Sequence, residues 1–427
     1  MGKPPSTSAT RASSSLSWRT TSHMVTLSVS ALSLPLGSSV ALMYAVKPWG
    51  HVILVGGCVG TYAMGIGMRW RESNVTIVER RRSPSYERAE MRRCVLTDQT
   101  VKLLTDLGCT ERKVLSVLRP ARGWRFLSPD LTPLREGSVF PGCAIGESAY
   151  QCTEGVLLRT LRTEFLRFGG TIDWETEAHS ADANNDGSDT WCLRRDYGLS
   201  TNVEAIITMA KGTPFAEMLV ARDPSRIAVL FDVERGVCKL ESRDTSVLFD
   251  QQSDVSIVVG NGIALHCWRS GTDECAWRLV RSATTHSSLD ASLDGMHDVL
   301  KTVIQKSQQR IRSVCALPGT TPAIKDEAVR FRVGLLGDGL LPIDPFEWRG
   351  DNARCMIEEA SAVCRLLYGK KYQRGDVASL LRGAEQDSIS KRANLLQRDL
   401  QDAEHFLAAH PLLESEPTLP AMRRVGS

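Results

Sequence analysis

Gly56, Gly57 and Gly60 stand close together directly after a short apolar run, and an acid, Glu79, follows about 20 residues later. Glycines so placed let backbone N–H groups approach a pyrophosphate at a helix N-terminus, and an acid ending the next strand accepts ribose hydroxyls. This is the chemistry of holding a dinucleotide. A strict G-x-G-x-x-G pattern would put its first glycine at position 55, where Val55 stands. A β-branched residue resists a left-handed turn by about 1 to 2 kcal/mol, so the bend is expected at Gly56 instead.

The elements that must carry these residues are legible on either side. Val52 to Val55 form a continuous apolar run, as in a parallel strand buried on both faces. Thr61 to Trp70 can be helical, and Val75 to Val78 form a second apolar run that ends at Glu79. Strand, glycine turn, helix, strand and acid in that order make a βαβ unit.

A second constellation lies far along the chain. Val333 to Leu336 read as a buried strand that ends in Gly337 and Asp338. Pro345, Gly350 and Asn352 follow. Ala353 to Leu367 then place Met356, Ile357, Ala360, Val363 and Leu367 on one helical face.

This spacing resembles the carboxy-terminal flavin motif of the p-hydroxybenzoate-hydroxylase-like FAD monooxygenases, whose relatives include ubiquinone-biosynthesis hydroxylases and squalene epoxidase. The resemblance implies an α/β fold, a Rossmann-like FAD-binding domain interleaved with an antiparallel β-sheet substrate domain. It also implies that Asp338 hydrogen-bonds the flavin ribityl chain, and that the backbone from Pro345 to Asn352 lies against the ring. Leu341 and Trp348 depart from the family pattern, replacing a His and the first of two glycines.

Weaker similarity to the family continues between the two ends. Leu96 to Gly108 looks like the helix after the first nucleotide unit, with Arg92 or Arg93 at its entry where the family places a flavin-contacting arginine; read alone, both are solvated helix-start residues. The helix in TEGVLLRTLRTEFLRFGG opens with Glu154 where active members carry an arginine, and Lys211 replaces the Asp of an Ala-Asp-Gly motif at Gly212. From Ile227 to Arg281, short apolar runs divided by polar turns read as the substrate sheet, with His266, Cys267 and Trp268 in its core. Val299 to Val314 is expected to be an amphipathic helix.

Composition and the resemblance together divide the chain into a leader at 1–48, a hydroxylase-like fold at 49–372 and a helical tail at 373–427. Cofactor binding falls on 49–112, 151–215 and 330–372, and the substrate sheet on 115–150 and 226–328.

Composition narrows the partners. Fifty-two basic and 49 acidic residues leave a net charge of +3, too little to draw the chain onto nucleic acid. The 12 cysteines and eight histidines have no zinc-ligand spacing, and a calcium-like run from Asp182 fails at its twelfth position, Leu193. No metal site is expected.

No acid precedes Glu72, while Lys3, Arg11, Arg19 and Lys47 punctuate a Ser/Thr-rich stretch, the composition of a mitochondrial transit segment. Met24 to Val46 carry no charge and are long enough to span a bilayer, but Pro35 and Gly37 make them a poor spanning helix. A targeting segment with peripheral membrane association is the expectation. The charged tail after Gly375 has apolar positions such as Leu381, Leu396 and Phe406, suited to cover the domain or to meet a protein partner.

The resemblance implies an FAD-dependent monooxygenase, reduced by NAD(P)H and acting on a small hydrophobic or aromatic substrate such as a quinone or isoprenoid. No side chain is assigned as catalytic acid or base. The alternative is a catalytically degenerate flavoprotein fold kept as a scaffold, since Val55, Glu154, Lys211, Leu341 and Trp348 all fall at flavin-facing motif positions.

Overall fold

The computed structural model describes residues 50–82, 92–138, 143, 146–183, 190–221, 227–271, 273–282, 293–307, 309–318, 323–324, 332–342, 346, 348–368 and 377–407. The leader, including Met24 to Val46, and Pro345 lie outside them. No described helix is long and apolar enough to cross a membrane.

His51–Val55 pairs in parallel with Asn74–Glu79 on one side and Gly198–Thr208 on the other. Thr171–Trp174 and Val333–Leu335 extend the same sheet in parallel, and the Ala178–Ala183 and Trp191–Arg195 hairpin completes its seven strands. Alternation along a strand sends Val52 and Leu54 to one face and Ile53 and Val55 to the other. The first pair packs with Tyr62, Met64, Phe165, Met356 and Ile357 from the Val59–Arg69, Glu154–Arg167 and Asn352–Leu367 helices. The second pair faces another core, shared with the second sheet. Burial on both faces explains why this strand reads as an unbroken apolar run.

The second seven-stranded sheet is built from Gly123–Leu127, Pro133–Gly137, Ile227–Lys239, Ser253–Gly260, Ile263–Arg269, Glu274–Ser282 and Gln309–Pro318. Its pairings are antiparallel except that of Ser253–Gly260 with Gly123–Leu127. Val255, Ile257, Val259 and Phe231 join the core shared with the first sheet. Val258, Leu265, Cys267, Trp277 and Leu279 face the opposite side, packed with the Ser242–Leu248 and Asp298–Gln305 helices. A smaller sheet joins Arg93–Thr97, Arg119–Pro120 and Ala149–Thr153.

Two expected helices differ. The segment Val299 to Val314 is helical only to Gln305, and Gln309–Pro318 is a strand. From Arg310 the pattern changes to period two: Arg310 and Arg312 pair with Glu234 and Asp232 on the neighbouring strand, while Ile311 and Ser313 point the other way. Leu96 and Thr97 belong to a strand, and the helix starts at Asp98, capped by the Thr97 hydroxyl, which accepts from Thr100 N–H.

Among the described residues of the tail, Val377–Phe406 is one helix that joins both cores. Leu381 and Ala384 lie in the first, and Leu396, Ala403 and Phe406 in the second.

Candidate dinucleotide-binding cleft

At the end of the first strand the chain turns at Gly56, whose φ of +83° is one that a side chain would strain. A Cβ there would come within 2.3 Å of the Ala210 Cβ. The turn is thus made one residue after Val55, which stays extended in its strand. Gly57 lets the loop pass against Glu79: a Cβ at Gly57 would meet Glu79 Oε2 at 2.6 Å. At Gly60 a Cβ would press on Met209 and Met356, so this third glycine allows the helix to pack closely on the sheet.

The Val59–Arg69 helix starts here with no side-chain cap and no acid in its first turn. Its first N–H groups and the positive end of its dipole are therefore available to an anion. Cys58, beside it, is a neutral thiol: burial raises its pKa to about 11, and the Thr61 hydroxyl 3.1 Å away opposes this only partly.

Glu79 is 2% exposed. Its Oε1 accepts from Arg81 N and Nε at 2.9 Å each, and its Oε2 accepts from Arg81 Nη2 at 2.8 Å and from Gly57 N–H. Burial pushes its pKa up, but the hydrogen bonds and charge of Arg81 outweigh this and hold it below the usual carboxylate value. These four donors use the acceptor sites of the carboxylate. The Arg81 side chain is 41% exposed, and its Nη2 also donates to Gly57 O.

These residues border a cleft of about 440 Å³. Its lining includes Gly57, Glu79, Arg92, Glu154 and Asp338, together with Arg235, Ile311 and Ser313 of the second sheet. The segments around Gly57 and Asp338, distant in sequence, are walls of one cavity. Five cations line it, Arg80, Arg81, Arg92, Lys211 and Arg235, against four acids, Glu79, Glu154, Glu177 and Asp338. Glu154, an acid where the sequence pattern calls for a cation, is 3.5 Å from Arg92, which stands just before the Arg93–Thr97 strand.

Gly56, Gly57, Glu79, Arg92 and Asp338 thus share the cleft. Arg93 faces elsewhere, its Nη1 donating to Trp348 O at 2.9 Å and its Nε to Gln151 Oε1 at 3.1 Å. Gly337, at φ +60°, turns the chain beside Met209, and Gly350, at φ +66°, accepts from Val95 N–H at 2.7 Å. Asn352 Nδ2 donates to Asp338 Oδ2 at 2.9 Å and so orients that carboxylate from behind.

Trp348 does not line the cleft. Its indole is 1% exposed, packed edge-on against Trp124, Phe126 and Phe406, and Nε1 donates to Asp402 Oδ2 at 3.1 Å. Arg349 lies over that indole and pairs with Asp402.

Two residues of this region were not singled out in the sequence. Arg235 has no motif around it. Arg392 had a signal: Leu381, Glu385, Ser388, Arg392, Leu396, Asp399 and Phe406 recur at helical spacing, and all are buried.

No family model matches the sequence, and no curated protein is similar to it in sequence. Solved structures are similar in fold. HpxO of Klebsiella pneumoniae, solved with FAD and uric acid, is 13% identical with a TM-score of 0.66 over 85% of this chain and 90% of its own. CtdE, solved with FAD and a substrate, is 12% identical with a TM-score of 0.67 over 86% and 93%. PqsL of P. aeruginosa, solved with 2-aminobenzoylacetate, is 14% identical with a TM-score of 0.63 over 85% and 99%. The chain has the fold of the FAD-dependent monooxygenases. At these identities the likeness is one of architecture, and within this flavin-monooxygenase fold any function must be argued from the cleft itself.

Proposed function

We propose that the chain binds FAD in this cleft and works as an FAD-dependent monooxygenase, a hydroxylase or epoxidase, on an aromatic, quinone or isoprenoid-like substrate. One observation carries the reading: a single cavity is lined by the glycine turn, Glu79, Asp338 and residues of the second sheet. A dinucleotide with a hydroxylated linker needs those surfaces within one cavity.

The residues present fit the cofactor. Gly57 permits close backbone approach, and the uncapped helix start offers N–H groups to the pyrophosphate. Glu79 would take ribose hydroxyls once Arg81 swings away, and the freed guanidinium would meet phosphate oxygens. Asp338, held by Asn352, would accept from the ribityl chain. Arg92, Lys211 and Arg235 would balance the negative charge of the cofactor. Bound FAD would supply the redox chemistry, with NAD(P)H as hydride donor and O₂ as co-substrate. The protein would position the ring, and the second sheet would shield it from water, its Ile311 and Val314 offering apolar surface to a substrate.

A second reading, a catalytically degenerate scaffold, draws on Lys211, which lines the cleft where the family pattern has an acid, and on Trp348, locked in the core beside the loop expected to approach the ring. The absorbance of the purified protein from the near-ultraviolet to the blue separates them. A flavin spectrum bleached by NADPH, with an oxygenated product in air, supports the monooxygenase. A colourless protein that takes up no added FAD supports the scaffold.

A further inference from the structure

The small three-stranded sheet sets two cysteines face to face. Cys94 and Cys152 are directly opposite in the antiparallel pairing of Arg93–Thr97 with Ala149–Thr153, so their side chains share one face of that sheet. Along the same ladder, Glu154 N–H donates to Arg92 O at 2.8 Å and Asp98 N–H donates to Ser148 O at 3.2 Å. Hydrogen-bonded and non-bonded pairs alternate, and these two lie an even number of steps away, so Cys94 and Cys152 are a hydrogen-bonded pair with Cα atoms about 5.5 Å apart. A disulfide needs a Cα separation of about 4.4 to 6.8 Å.

The two thiols differ in access. Cys94 is 2% exposed, in the same core as Leu96 and Leu104. Cys152 is half-buried and lines a cleft of about 320 Å³ together with Arg93 and Arg119. Partial exposure beside positive charge is the setting of reactive cysteines, whereas wholly buried ones are inert. Another cross-strand pair gives the contrast: Cys238 and Cys275 are also directly opposite, but they are 1% and 0% exposed and line neither cleft.

We propose that Cys94 and Cys152 are a peroxide-sensitive pair that closes reversibly to a disulfide, with Cys152 as the thiol that meets the oxidant. The Cys152 sulfur attacks one oxygen of hydrogen peroxide, the O–O bond breaks, and the other oxygen leaves as water. The Cys94 sulfur then attacks the Cys152 sulfenic acid, the S–O bond breaks, and a second water leaves. Together the thiols give up two electrons and two protons, and the peroxide is reduced to water. Opposed Cβ atoms in a sheet stand about 4.5 to 5.5 Å apart, wider than the roughly 3.8 Å of a relaxed disulfide. The bridge therefore draws the strands together, and bonds under such strain are the readily reduced ones. The site is independent of the FAD reading.

The test treats the folded full chain with hydrogen peroxide, alkylates the remaining thiols under denaturing conditions and maps the peptides by mass spectrometry. A Cys94–Cys152 cross-link is expected, lost on treatment with dithiothreitol, while Cys238 and Cys275 are recovered alkylated. Cys94→Ser should lose the cross-link and leave Cys152 as a sulfenic acid that dimedone labels. Cys152→Ser should leave Cys94 alkylated. The map of the native chain depends on no variant folding. Absence of the Cys94–Cys152 cross-link, a Cys238–Cys275 cross-link formed to the same extent, or Cys94 oxidised as fast in Cys152→Ser as in the native chain would each overturn the assignment.

Discussion

Arg392, wholly buried on the last helix, donates through Nη1 to Asp338 Oδ1 at 3.2 Å. The same guanidinium binds Glu359 through Nε at 2.8 Å and Nη2 at 2.9 Å, and donates to Leu341 O at 2.5 Å. The last helix is thus wired to the Asp338 carboxylate beside the Val333–Leu335 strand, and Asn352 holds the other oxygen.

Removing Arg392 strands the Glu359 and Asp338 carboxylates inside the protein. Arg392→Met should cost about 3 to 5 kcal/mol, the usual result of breaking a buried ion pair from one side. The midpoint of urea unfolding measures this. An unchanged midpoint would mean that the helix is not docked as described.

Gly56 offers a separate test of the turn. A Cβ there meets both a left-handed backbone and the Ala210 side chain at 2.3 Å. Gly56→Ala is expected to lower stability by about 1 to 3 kcal/mol, from backbone strain and overpacking combined. Val55→Gly, by contrast, should not restore a family-like loop, because Val55 is already strand.

How much of this was legible in the sequence depended on how local the cause was. The first strand announced itself because both its faces are buried. The turn at Gly56 followed from the steric cost of a β-branched residue at position 55. The segment after Gln305 misled because a helical period ran directly into a strand period, and the partners that decide it, Asp232 and Glu234, lie on a distant strand. Arg92 and Arg93 could not be separated because the partners that distinguish them, Glu154 for Arg92 and Gln151 and Trp348 for Arg93, lie far along the chain. Arg392 was hidden for a similar reason: its acids are far away in sequence, and a charged residue on a helix ordinarily reads as exposed.

Trp348 packs in an aromatic cluster, so its truncation should empty a large volume. Trp348→Ala is expected to cost about 3 to 5 kcal/mol, as for other buried aromatic residues. Trp348→Phe keeps the ring contacts with Trp124 and Phe126 and loses the bond to Asp402, at roughly 1 kcal/mol. Thermal or urea unfolding of the two variants should rank them in that order.

Glu164 predicts an acid-sensitive contact between helices. Burial raises its pKa, but Lys113 Nζ at 2.7 Å, Thr110 N at 3.1 Å and Arg167 Nη2 at 2.8 Å bring it down to about 2. A depressed carboxylate stabilises the fold above its ordinary value of 4.5, and that contribution fades as pH falls toward 2. Glu164→Gln should therefore lower the melting temperature at pH 7 and flatten its decline between about pH 5 and 3. Parallel curves for the two proteins would contradict this.

The central claim is that the segments at Glu79 and Asp338 hold the two halves of one dinucleotide. FAD affinity, read by quenching of flavin fluorescence, should fall about tenfold or more in Glu79→Ala and also in Asp338→Ala, each losing hydrogen bonds to a charged acceptor. ADP affinity should fall only in Glu79→Ala. An FAD affinity unmoved by Asp338→Ala, or no FAD binding by the native chain, would contradict the account.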